Sequence, residues 1–121
     1  MKVIISPAKS IKYQALTSIN SFSKASFLEE SEKLVVKLKK LSSKKIGEMM
    51  HLSTDLADLN YERYQNWVTP NELDESNFPA IAGFNGEVYK GIDVHSLNSD
   101  EINQLQNTVR ILSGLYGILK P

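Results

Sequence analysis

The sequence predicts an α/β fold, with α+β as the alternative: a small mixed sheet carrying three to four helices, part of a larger domain. Three observations point there. A short β-branched run, Lys2-Val-Ile-Ile5, is cut off by Ser6-Pro7, whose proline ends ladder pairing and holds Ser6 extended. Serine or asparagine precedes several segments whose apolar residues recur every three to four positions, the pattern of capped amphipathic helices. A second apolar segment, Ala80-Ile-Ala-Gly-Phe84, suits a strand beside the first.

Composition bounds the function. At 121 residues, 41% hydrophobic and 23% charged, the chain fits one small domain spanning residues 1–121. No apolar run approaches the roughly 20 residues of a membrane span, and Val3-Ile4-Ile5 is too short for a signal-peptide apolar region, so a cytoplasmic protein with no membrane partner is expected. With zero cysteines, disulfides, thiolate metal sites and a cysteine nucleophile are excluded. The formal net charge is zero, yet six lysines between Lys33 and Lys45 stand without an acid, and seven acids between residues 46 and 78 face Arg63 alone. Opposite blocks of this kind pair within a fold, or one of them faces a partner.

Taken in order, Lys2–Ile5 reads as a buried strand, which places Ser6, Lys9, Ser10 and Lys12 on the loop at its carboxyl end, where α/β folds bind ligands. Residues 14–25 read as a long connection. Ser26 and Glu29 have capping-box spacing, starting a helix with Leu28, Ser31, Leu34/Val35, Leu38 and Leu41 on one side. Lys33, Lys37, Lys40 and Lys44 recur along that stretch as a basic stripe, either solvated or set against phosphates. Ser42 or Ser43 caps a short helix over Ile46, Met49 and Met50, and Ser53 caps a third over Leu56, Leu59, Tyr64 and Trp67. Two short helices meeting at His51-Leu52-Ser53 have the outline of a helix-hairpin-helix without its usual Gly-x-Gly turn; a plain helical corner is the other reading.

Glu48, His51 and Asp55 have the i, i+3, i+7 spacing of iron-binding helices, but His95 is the one other histidine, so neither a resident metal nor a cofactor is expected. Thr69-Pro70-Asn71 closes the third helix, and Glu72–Asn77 reads as an acidic surface loop. Asn85-Gly86 is a turn, closing a hairpin or bringing amides to a ligand. Asn98 or Ser99 caps the last helix, whose face of Ile102, Leu105, Val109 and Leu112 runs on to a glycine stop at Gly114. Gly117 then permits close approach of backbone or ligand. Two readings of this stretch stand: a helix cap and buried turn, or a site wall in which Arg110, Ser113, Tyr116 and Lys120 offer donors to an anion.

Three segments together resemble the YaaA family of peroxide-stress proteins: Ile5-Ser6-Pro7-Ala8-Lys9, Phe84-Asn85-Gly86-Glu87-Val88-Tyr89, and Arg110-x-Leu-Ser-Gly-Leu-Tyr-Gly-Ile-Leu-Lys-Pro121. The resemblance spans the chain in order. It implies a cytosolic bacterial protein that limits intracellular iron and the DNA damage it causes, an α/β protein that binds DNA through a basic cleft and a helix-hairpin-helix element. Carried onto this chain, the cleft draws on Lys9, Asn85, Arg110, Tyr116 and Lys120 and on the helix junction at residues 42–57, and the Lys33, Lys37, Lys40, Lys44 stripe is a separate basic candidate. The resemblance also implies a family about twice this length, so an amino-terminal part is expected, with a sheet edge and core face left open and covered by homo-oligomerisation. An enzyme acting on a small phosphorylated or nucleotide-like substrate at the strand ends, through Ser6, Lys9, Asn85, Arg110 and Tyr116, is the competing reading.

Overall fold

A computed structural model describes residues 1–16, 22–71 and 77–121. Most of the acidic loop Glu72–Asn77 and the middle of the 14–25 connection lie outside the described residues. The chain divides into two compact units, one formed by Met1–Phe27 with Pro70–Pro121, the other by Leu28–Thr69.

The first unit is built on a three-stranded mixed sheet in the order β1-β4-β5, where β1 is Val3–Ile5, β4 Val109–Ser113 and β5 Gly117–Leu119. β1 runs parallel to β4, with Val3 opposite Val109 and Ile5 opposite Ile111, and β4 is antiparallel to β5, with Ile111 opposite Leu119. A separate two-stranded ladder joins β2 (Ser10–Ile11) to β3 (Phe84–Asn85). The core gathers Ile81, Tyr89, Val94 and the fully buried Ile111, with Ile5, Ala8, Phe84, Leu97 and Leu119 packed around them.

Several expectations change in this unit. Residues 110–113 form a strand and not the end of a helix. The helix α6, Ser99–Thr108, stops first because Val109-Arg-Ile-Leu112 also has a two-residue period: Val109 and Ile111 are buried, Arg110 and Leu112 face outward, and β1 supplies the ladder partners. Gly114 therefore caps no helix. It lies in the turn from β4 to β5, and Gly117 is the glycine that takes a positive φ, +73°.

Residues 80–83 form the short helix α4 (Ala80–Gly83), and only Phe84–Asn85 pair as a strand. Asn85-Gly86 closes no hairpin; Gly86 is the extended N-cap of helix α5 (Glu87–Ile92), which a 3₁₀ turn follows at Val94–Ser96. β1, expected to be buried, is largely exposed and lies at the edge of the sheet.

The second unit holds helices α1 (Leu28–Leu38), α2 (Ser43–Met50) and α3 (Thr54–Asn66). α1 begins two residues after Ser26 and ends at Leu38, so the lysine stripe does not ride on one helix. Ser42 caps α2, accepting from the Lys45 amide, and Ser53 caps α3, accepting from the Leu56 amide, as their sequence positions predict. Side chains tie the helices together: the Ser43 hydroxyl donates to the Asp58 carboxylate, Gln65 donates to the Lys39 carbonyl at 2.9 Å, and Lys39 donates to the Trp67 carbonyl at 3.2 Å. Ile46 and Val35 are buried, and a Cβ on Gly47 would stand 3.0 Å from that of Ala57, so α2 and α3 approach closely there. No helix among the described residues is long and apolar enough to cross a membrane.

Candidate functional site

The first two sequence motifs meet in space. Ser10 pairs with Asn85 across the β2–β3 ladder, which sets Lys9 beside the Asn85-Gly86 step. The Tyr89 hydroxyl, one helical turn further on, donates to the Ser6 carbonyl at 2.6 Å. A Cβ on Gly86 would stand 3.3 Å from that of Ala8. Burial pushes the Tyr89 phenol above its ordinary pKa, so this bond is made by a neutral hydroxyl over the whole physiological range. Ser6, Lys9 and Asn85 are exposed around this junction. Tyr89 is the residue that the sequence reading missed. It stands at the end of the second motif, but nothing in its spacing tells that α5 turns its ring back onto the Ser6-Pro7 loop.

The third motif contributes differently. Side chains alternate along β4, so Arg110 points to the sheet face opposite Ile111, while Ala8 and Tyr89 belong to the core on the Ile111 side. Half-buried, Arg110 donates through Nη1 to the Gln106 carbonyl at 2.9 Å and to the Val109 carbonyl at 2.6 Å. Lys2 donates to the Asn107 carbonyl. Two cations thus meet the last carbonyls of α6, a helix with no basic residue in its own last turn. The side-chain Oε1 of Gln106 is buried there without a hydrogen-bond partner among the described residues. Tyr116 is half-buried in the β4–β5 turn, its amide donating to Ser113 Oγ at 3.1 Å, and Lys120 is exposed just beyond β5. The close approach foreseen at Gly117 is to a ring of this same chain: a Cβ there would meet Phe27 at 3.0 Å.

In the second unit the basic residues gather where α1 gives way to α2. Lys33 and Lys37 lie on α1, Lys39 and Lys40 in the turn, and Lys44 and Lys45 in the first turn of α2, which holds no acid. Lys33 is paired with Glu30 at 2.9 Å, and that carboxylate raises its pKa; both side chains are exposed. Lys37, Lys40, Lys44 and Lys45 have no ion pair among the described residues. The α2–α3 corner turns at His51, the left-handed C-cap of α2 with φ 54°, whose amide donates to the Gly47 carbonyl. Asp55 occupies the first turn of α3, which opposes an anion at that terminus. No three histidine, aspartate or glutamate side chains among the described residues are placed to share a metal ion, and His51 serves as a helix cap.

Comparison with known proteins places these features in context. The family model described as peroxide stress protein YaaA matches residues 1–121. A UPF0246 protein of Flavobacterium psychrophilum is 46% identical over 121 residues, covering all of this chain and 48% of the relative. UPF0246 proteins of Polynucleobacter asymbioticus and of a Marinomonas species are 45% and 46% identical over the same length, each covered to 46%. The chain thus spans about half the length of the curated relatives it matches.

Proposed function

Because the chain belongs to the peroxide stress protein YaaA family, we propose that it serves the peroxide response by binding DNA through phosphate contacts and so limits iron-dependent damage. The observation that carries this reading is the acid-free run of six lysines from Lys33 to Lys45. Four of them, Lys37, Lys40, Lys44 and Lys45, have no ion pair among the described residues: Lys37 lies in the last turn of α1, Lys40 in the turn between the helices, and Lys44 and Lys45 open α2. Ammonium groups without a carboxylate partner, next to a helix start that holds no acid, suit phosphate oxygens. Such contacts carry no base information, so the reading is of sequence-independent binding. Lys9 beside Asn85 offers a further cation in the other unit. The enzyme reading asks more, since it needs Arg110 to converge with Lys9 and Asn85, and Arg110 lies on the outer sheet face with two backbone carbonyls as its partners.

Titration of a labelled duplex with this chain and with the longer Flavobacterium relative, at 50 to 200 mM salt, tests the proposal. Affinity should fall steeply as salt rises. Combined Lys37→Glu and Lys40→Glu should weaken binding to all sequences alike and flatten the slope of log K against log salt by about two. Binding that ignores salt, or a double variant with unchanged affinity, removes the proposal.

A further inference from the structure

We propose that the outer face of the three-stranded sheet is an interface for the part of the family's longer chains that lies outside their match to these 121 residues. The register fixes which side chains share that face. Ile4 stands opposite Arg110, and Leu112 opposite Ile118, on the side away from Ile5, Ile111 and Leu119. Ile4, Leu112 and Ile118 are 64%, 44% and 46% exposed. Single exposed hydrophobes are ordinary, but here each strand contributes one to the same face: Leu112 and Ile118 are direct cross-strand neighbours, and Ile4, opposite Arg110, is the diagonal neighbour of Leu112.

Parallel pairing sharpens the point. β1 and β4 run parallel, the pairing that dominates sheets covered on both faces, while β4 and β5 run antiparallel. Here one face is packed by Ile81, Tyr89 and Val94, whereas on the other Arg110 is half-buried and Ile4, Leu112 and Ile118 are exposed. β1 and β5 are also the outer strands of the sheet among the described residues, so its edges as well as its face are available.

The relatives indicate the occupant. Relatives 45% to 46% identical to this chain devote only 46% to 48% of their length to the match, so each carries about as much chain again beside it. That second half accompanies every copy of the first at fixed one-to-one stoichiometry, as a permanent cover for an apolar sheet face requires. The inference rests on the sheet and on relative length, and it stands or falls apart from DNA binding.

Thiol labelling reads the cover directly, because this chain has no cysteine of its own. Ile4→Cys, Leu112→Cys and Ile118→Cys are made singly in this chain, and again in a chimera in which these 121 residues replace the matched part of the Flavobacterium relative. Modification at each position should be fast in the chain alone and on the order of 100-fold slower in the chimera, as for a site that opens only through local unfolding. Equal rates in the two proteins overturn the proposal. Protection already present in the chain alone, and lost on dilution, overturns it in favour of a second copy on this face.

Discussion

At the scale of single residues, two contacts hold the sequence motifs in shape in this chain, and both invite substitution. Tyr89→Phe keeps the ring in the core and deletes the bond to the Ser6 carbonyl, so the change should cost about 1 kcal/mol in urea unfolding. The pH dependence has a definite sign. Burial raises the Tyr89 phenol pKa in the folded state, so its contribution is complete below the ordinary phenol value of 10.0 and is lost as pH rises through the raised one. Tyr64, also raised by burial, titrates in the same direction, so Tyr89→Phe should reduce the alkaline loss of stability and leave the share that belongs to Tyr64. Gly117 is the second case. Alanine there takes on a positive φ of 73° and meets Phe27 at 3.0 Å, and the expected loss is about 1 to 2 kcal/mol. Gly114→Ala, with an ordinary φ and open space around it, should leave the urea midpoint nearly unchanged.

At the scale of elements, legibility followed capping chemistry. Ser42, Ser53 and Asn98 announce helix starts because a short polar side chain followed by helical periodicity satisfies amides that have no other partner; Ser53 caps as read, and of the paired candidates Ser42 caps and not Ser43, and Asn98 and not Ser99. Asn98 does so fully: its side chain accepts from the Asp100 and Glu101 amides while Glu101 reaches back to the Asn98 amide. Asn98→Ala should therefore destabilise the protein by about 1 kcal/mol, with faster amide exchange through the first turn of α6 as the accompanying sign. The other end of α6 was not legible. Val109 and Leu112 fit a three-to-four spacing from Ile102 and a two-residue spacing within β4 equally well, and only the partner strand β1, more than a hundred residues away in sequence, settles the choice. Ala80–Gly83 misleads for the same reason, since a run that short has no period of its own.

At the scale of the whole molecule, the α/β class was readable from one β-branched run and a set of capped helices, whereas the assignment of motifs to places was not. Tertiary pairing brings Lys9 beside Asn85 and turns Arg110 to the other sheet face, and neither fact is contained in the motifs themselves. Each compact unit has its own fully buried isoleucine, Ile111 in the sheet unit and Ile46 in the helical one. The sole tryptophan, Trp67, belongs to the helical unit, where its carbonyl receives the Lys39 ammonium, so its fluorescence reports on that unit. Ile46 has no solvent exposure, and shortening it to alanine removes apolar contacts and leaves a cavity between closely packed helices. Ile46→Ala should accordingly lower the stability read by Trp67 fluorescence by about 2 to 5 kcal/mol. Leu56→Ala, at an exposed position on α3, should cost much less by the same probe, and similar losses for the two would mean that Ile46 does not form the centre of this unit.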